Sequence, residues 1–131
     1  MFDVDGVVSK AEADNINPVV LAFIGDAVYT LFVREKLAEE SDLKSGELNK
    51  RASGLVCAKA QAERAKILES EFTEEEKDVF RRARNAKKGT RAKSATVAEY
   101  NLSTALEAVF GYLQVTGKRD RLNYLFNYKN D

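Results

Sequence analysis

Apolar positions recur along this chain at the spacing of α-helices, and no segment shows the convincing alternation of a half-buried strand. Asn17 followed by Pro18 is a typical helix start, with asparagine as the cap and proline in the first turn. From 19 to about 39 the only further breaker is Gly25, and the segment is apolar nearly all round through Val33. Such a helix belongs in the middle of a domain, so we predict a central helix here.

The next segments predict two further helices. A helix with an apolar stripe is expected over 46–70, after a polar loop at 41–45. Thr73 followed by Glu76 forms a capping box, which predicts a helix that begins there and ends near 85.

The C-terminal part predicts a loop followed by two more helices. The stretch 86–95 is predicted to be a loop because it is polar, contains glycine and lacks a period. A second capping box begins at Thr96, and the strongest helical stripe of the chain follows it as far as Gly117, a typical helix end. A short last helix is expected over about 119–127.

The length and these elements predict one all-α domain over 1–131. Residues 1–16 are polar and without a clear period, and the sequence leaves open whether they are disordered or form a flexible arm. The chain carries 21 basic and 21 acidic residues, but the charges are unevenly placed. Residues 1–78 hold 10 basic and 17 acidic residues (net −7), whereas 79–131 hold 11 and 4 (net +7). This split predicts a local basic surface on an acidic body.

Missing residue types narrow the chemistry. The chain has no histidine, which excludes catalysis by an imidazole base and imidazole metal sites. Its single cysteine, Cys57, excludes an internal disulfide and a zinc cluster, and we expect it to be a small buried residue. No signal peptide or membrane span is recognisable, so a cytoplasmic protein is expected. Any catalysis must use carboxylates, hydroxyls, amines or a bound hard metal.

Two carboxylates are the candidate chemical groups. Asp26 shares a helical face with Ala22 and Phe23, where a buried carboxylate needs a partner or a metal. Glu107 lies off the apolar stripe of its helix, among small and hydroxyl-bearing residues that leave room for a hydrated ion. The alternatives are a hydrogen-bonded structural aspartate and an ordinary surface glutamate. Together the two residues predict an all-oxygen Mg²⁺ site that retains several waters.

A dense basic segment at 81–93 is the third signal. It contains seven cations and no acid: Arg81, Arg82, Arg84, Lys87, Lys88, Arg91 and Lys93, with the hydrogen-bonding residues Asn85 and Thr90 among them. This charge density suits phosphate contacts. No aromatic residue interrupts the segment, which favours contacts to the backbone of a duplex over stacking on single-stranded bases. The alternative is a solvated run of charges.

Four sequence blocks follow one another in a specific order: LAFIGDAVY at 21–29, ELNKRASGLVCAKAQAE at 47–63, FTEEEKDVFRRARNAKKGT at 72–90 and YNLSTALEAVFGYL at 100–113. In this order they resemble the ribonuclease III endonuclease domain, and most closely its compact Mini-III branch. The resemblance covers about 17–125 and is far more specific than the Gly-Asp-Ala motif alone.

The resemblance implies an all-helical homodimer that cleaves double-stranded RNA with Mg²⁺ and leaves 5′-phosphate and 3′-hydroxyl ends. In the Mini-III branch the associated role is maturation of the large-subunit (23S) ribosomal RNA precursor. The catalytic and metal-binding positions of the family correspond to Asp26 and Glu107. The RNA-binding positions of its basic loop correspond to 81–93, with Arg84, Asn85, Lys87 and Lys88 as the best matches.

The chain departs from full-length ribonuclease III at two acidic positions of the metal site, which here are Ala22 and Thr104. Mini-III enzymes look similarly reduced. No separate double-stranded RNA-binding domain is recognisable, so RNA affinity is expected from the catalytic domain and its loop. Two alternatives stay open: a catalytically silent RNA-binding or ribosome-assembly module, and an all-α dimerisation module without an RNA role. Phe32 and Val33 are candidates for the dimer interface.

Overall fold

The computed structural model describes residues 3–89 and 94–130, and regular structure in these ranges is helical throughout. Seven α-helices follow one another: α1 Lys10–Asp14, α2 Pro18–Glu40, α3 Ser45–Val56, α4 Ala58–Leu68, α5 Glu74–Asn85, α6 Val97–Val115 and α7 Arg119–Asn127, with a 3₁₀ turn at Glu69–Glu71. The all-α class is therefore confirmed. Within the described ranges no helix is long and apolar enough to span a membrane.

Two glycines set the closest contact in the core, where α2 crosses α6. A Cβ atom at Gly25 would overlap the carbonyl oxygen of Glu107, and one at Gly111 would overlap the carbonyl oxygen of Leu21. The two helices therefore meet backbone to backbone, which only glycine permits at these positions. This crossing fixes the position of α2 relative to α6.

The remaining core surrounds α6, which is buried along most of its length. α4 and α5 pack on α6, and α3 packs on α2. Aromatic rings join α6, α2 and α7. The ring of Phe110 in α6 packs edge-on against that of Tyr29 in α2, with their centres 5.1 Å apart, and the centre of the Phe126 ring in α7 lies 5.7 Å from that of Tyr29. The central position predicted for the helix over 19–39 is thus shared with α6.

The predicted helix over 46–70 is in fact two helices. The chain is extended at Cys57 (φ −68°, ψ 158°), which ends α3 and caps α4. The break lets α3 lie on α2 while α4 turns to pack on α6, which one straight helix cannot do. The expectation that Cys57 is buried is wrong, because this bend places it at the surface.

Local capping signals agree with the structure. The boxes opened by Thr73 and Thr96 are both formed, and the last helix occupies 119–127 as expected. α6 ends before Gly117, whose φ of +70° is a left-handed conformation that favours glycine.

Residues 3–16, for which the sequence left disorder or a flexible arm open, pack against their own chain. Ser9 and Glu12 form a capping box that begins α1. The N–H of Val8 donates to the carbonyl oxygen of Val115 at 2.9 Å, and the side chain of Val7 lies beside Gly117.

Candidate active site

The glycine-mediated crossing brings Asp26 and Glu107 together. Asp26 directly follows Gly25 in α2, and Gly25 lies against the backbone of Glu107 in α6. The two carboxyl groups come within hydrogen-bonding contact of each other. Two residues 81 positions apart in sequence therefore form one acidic site.

Burial differs between the two carboxylates. Asp26 is exposed and Glu107 is half-buried, whereas the sequence led us to expect Asp26 on a buried face. The reason is that its part of α2 is uncovered: Phe23, one turn earlier, is 81% exposed. The site thus opens to solvent on the side of Asp26.

The electrostatics of Glu107 favour a bound cation. Burial, followed by the hydrogen bond and the negative charge of Asp26, raises the pKa of Glu107 to about 9, and the nearby amide of Gln61 acts in the opposite direction. A cation between the two carboxyl groups would relieve both the desolvation of Glu107 and its repulsion from Asp26. The site is therefore chemically suited to a metal ion.

The donor set suits an ion that keeps part of its water shell. Nowhere in 3–89 and 94–130 do three or more acidic, cysteine or histidine side chains form a potential metal cluster. Ala22 offers no donor atom, and the Thr104 hydroxyl donates to the Tyr100 carbonyl oxygen at 2.9 Å. Two carboxylates with open space fit Mg²⁺, which binds through one or two carboxylates plus water and substrate oxygens.

Sequence reasoning missed a buried polar pair beside Glu107. The Gln61 side chain of α4 is 1% exposed, and its Oε1 accepts a hydrogen bond from the Ser103 hydroxyl of α6. The available signal was a glutamine on the stripe that Ala62, Ala65 and Leu68 form in α4. A polar side chain on such a stripe usually has a buried partner.

Some cations of the basic segment are already engaged in contacts within the protein, and others are exposed. Arg81 and Arg82 both bind Asp78, at 2.7 and 3.0 Å. The Lys88 ammonium donates to three carbonyl oxygens at the end of α5, those of Ala83, Arg84 and Ala86, at 2.7–2.8 Å. Lys88 thus caps the helix.

The more available groups of this segment are Arg84, Asn85 and Lys87, all of which are exposed. The guanidinium of Arg84 lies 5.8 Å from the centre of the Phe80 ring and projects from the last turn of α5. Thr90, Arg91 and Lys93 lie outside the described residues.

The apolar surface of α2 differs from our expectation. Val33 is 5% exposed and Phe32 packs on the core, so Val33 is wrong as an interface candidate. The exposed apolar side chains of α2 are instead Val20, Phe23 and Leu31. Together with exposed Ala27 they follow the helical spacing of three and four residues and form one stripe, which we call the α2 stripe.

Comparison with known proteins places the chain in a family. Residues 19–118 match the Ribonuclease III domain family. Mini-ribonuclease 3 of Thermoanaerobacter sp. is 41% identical over 116 residues, covering 88% of this chain and 82% of the relative. The proteins of the same name from Brevibacillus brevis and Streptococcus pneumoniae are 45% and 40% identical, covering 81% and 86% of this chain and 79% and 90% of the relatives.

A solved structure has the same fold. The fold superposes on a crystal structure of a Fusobacterium nucleatum protein with a TM-score of 0.80 at 33% identity, covering 86% of this chain and 92% of that chain. The chain therefore belongs to the Mini-ribonuclease 3 family of endoribonucleases.

Proposed function

We propose that this protein hydrolyses phosphodiester bonds in double-stranded RNA with Mg²⁺ held by Asp26 and Glu107. The observation that carries the proposal is the crossing of α2 and α6, which brings these two carboxylates into contact at an open site. A fold that needed only a structural aspartate would have no reason to place a half-buried glutamate against it.

In this proposal one set of residues holds the ion and another binds the RNA. A divalent cation at the site would polarise the scissile phosphate and activate water for attack. Asp26, at the exposed side of the site, and the half-buried Glu107 of α6 would hold this ion between them. The products of this hydrolysis carry 5′-phosphate and 3′-hydroxyl ends.

The exposed end of α5 would hold the substrate. Arg84, Asn85 and Lys87 offer cations and a hydrogen-bond donor to phosphates, as the shape-directed binding of a duplex requires. The proposed natural substrate is a duplex in the precursor of the large-subunit ribosomal RNA, cleaved in the cytoplasm.

The proposed assembly is a homodimer that buries the α2 stripe. Val20, Phe23 and Leu31 expose three large apolar side chains on one face, an arrangement that soluble monomers usually avoid. A second copy would cover the stripe and place two equivalent sites on one duplex, one for each strand.

Cleavage of a synthetic stem from such a precursor tests the activity. Wild type in Mg²⁺ should cut both strands and leave 5′-phosphate ends, whereas EDTA, Asp26→Asn and Glu107→Gln should each abolish cutting. Both variants should still retard the duplex in a gel.

One observation favours the second candidate, a silent RNA-binding module: Ala22 and Thr104 supply no further acids to the site. Retardation of the stem by wild-type protein without cutting in Mg²⁺ or Mn²⁺ would support that module and contradict the proposed hydrolysis.

A further inference from the structure

Gln61 is a buried polar side chain whose oxygen has a hydrogen-bond partner and whose nitrogen, among the described residues, does not. It is 1% exposed, and its Oε1 accepts from the Ser103 hydroxyl. Its Nε2 is also buried and has no hydrogen-bond partner of good geometry in the described part of the chain. A buried amide donor without a partner is costly, so its retention calls for an explanation.

The position of the amide suggests what the donor is for. Ser103 lies one helical turn before Glu107, so both side chains are on the same face of α6. The Gln61 side chain is also within hydrogen-bonding range of Glu107. The amide of α4 therefore lies between the serine hydroxyl and the glutamate carboxyl group.

The chemistry of these groups fixes which end of the amide faces which partner. With a cation bound, Glu107 is an ionised carboxylate that only accepts hydrogen bonds, whereas a serine hydroxyl both donates and accepts. Turning Oε1 towards Glu107 would oppose two acceptors in a buried place. The orientation in which Ser103 donates to Oε1 and Nε2 points to Glu107 is the one that satisfies all three groups.

We infer that Gln61 is a positioning residue for Glu107: its Nε2 donates to a carboxylate oxygen and holds the other oxygen towards the cation shared with Asp26. This inference rests on the proposed function. Ser103 acts one step further out, because its hydroxyl keeps the amide from turning over. Hydrogen-bonding partners of metal ligands commonly act in this way.

A purely structural Gln61 would fill space between α4 and α6, and its effect would be on stability alone. Gln61→Met tests this, because methionine has a similar length and shape but no polar atom. Ser103→Ala removes the group that orients the amide and leaves Gln61 in place. Leu68→Val is the matched control, since it trims a fully buried side chain of the same helix seven residues away.

The measurement is Mn²⁺ binding to the protein without RNA, by calorimetry, together with a thermal melt of each variant. We expect Gln61→Met to weaken Mn²⁺ binding about 10–100-fold. Ser103→Ala should weaken it by a smaller factor, and the double variant should be no worse than Gln61→Met. Leu68→Val should lower the melting temperature and keep the wild-type affinity. If Gln61→Met does not fold, the affinity of Ser103→Ala decides.

Two failures are distinguishable. Wild-type Mn²⁺ affinity in folded Gln61→Met, or in Ser103→Ala when Gln61→Met does not fold, would overturn the positioning role and leave the proposed function standing. A wild-type protein that binds no Mn²⁺ would overturn both.

Discussion

At the scale of single residues, Glu107 has the most unusual environment of the site. Its partial burial and the neighbouring Asp26 raise the pKa of Glu107 to about 9, far above the ordinary value of 4.5. Across this range the folded protein without metal binds a proton at Glu107 that the unfolded chain has already released. The free energy of unfolding must therefore fall as the pH rises from about 4.5 to about 9.

This dependence is measurable because the chain has no histidine to titrate in the same range. In EDTA, the melting temperature of wild-type protein should decline between about pH 5 and about pH 9. The groups that face Glu107 are Asp26 from α2 and the neutral Gln61 from α4. Glu107→Gln removes the titrating group, so its melting temperature should stay nearly level. Parallel declines in both proteins would show that other groups cause the effect.

Two neighbouring lysines of the basic segment have different roles. Lys87 is exposed, whereas the ammonium of Lys88 caps α5 through three carbonyl oxygens and has a pKa lowered by its partial burial. A sequence alone ranks them equally, because it does not show which cation is already engaged.

We therefore expect two distinct outcomes from alanine substitution. Lys87→Ala should weaken RNA binding and reduce the slope of log affinity against log salt by about 1, with the melting temperature unchanged. Lys88→Ala should destabilise the protein by about 1 kcal/mol, because the last carbonyls of α5 lose their cation. Salt-dependent binding and thermal melts separate the two, and identical profiles would contradict the distinction.

At the scale of elements, the crossing of α2 and α6 determines the site. Gly25 and Gly111 each lie against the backbone of the opposite helix, so a methyl group at either position would force the helices apart. Glycine costs helix stability at both positions, yet it is required there because the close approach aligns Asp26 with Glu107.

Gly25→Ala should therefore destabilise the protein by about 3 kcal/mol or more and abolish metal binding. Gly54 is the matched control, because it also lies inside a helix but would meet no atom within 4 Å. Gly54→Ala should stabilise the protein by about 0.5–1 kcal/mol. Chemical denaturation measures both changes, and a tolerated alanine at Gly25 would contradict the backbone contact.

How far the sequence predicts these elements depends on how local the cause is. Capping boxes at Thr73 and Thr96 involve four consecutive residues, and the helices they begin are those predicted. The bend at Cys57 is different, because it arises from α3 and α4 packing on different helices. The same holds for Gln61, whose partner Ser103 is 42 positions away. No local pattern encodes such long-range contacts.

At the scale of the whole molecule, the uneven charge and the α2 stripe suggest how two chains and an RNA are arranged. The acidic N-terminal part contributes Asp26, and the basic C-terminal part contributes Glu107 and the cations that follow α5. Overall neutrality therefore does not argue against an RNA partner. The α2 stripe adjoins Asp26, so a second chain on the stripe would also border the site.

Leu31→Glu places a charge in the α2 stripe and tests the dimer. Wild-type protein should sediment at twice the chain mass of 14.6 kDa, and the variant should sediment as a monomer. Val97→Glu is the control, because Val97 is similarly exposed but begins α6 outside the stripe. Sedimentation of Leu31→Glu as a dimer would show that the stripe is not the interface.

The central claim is that carboxylates from two crossing helices form one metal site. The most direct measurement is Mn²⁺ binding to wild type, Asp26→Asn and Glu107→Gln. Calorimetry measures the three affinities at one pH and salt concentration. We predict that wild type binds Mn²⁺ and that each single variant loses most of this affinity, because each substitution removes one of the two charged oxygen donors of the site. Wild-type affinity in either folded variant would contradict the account.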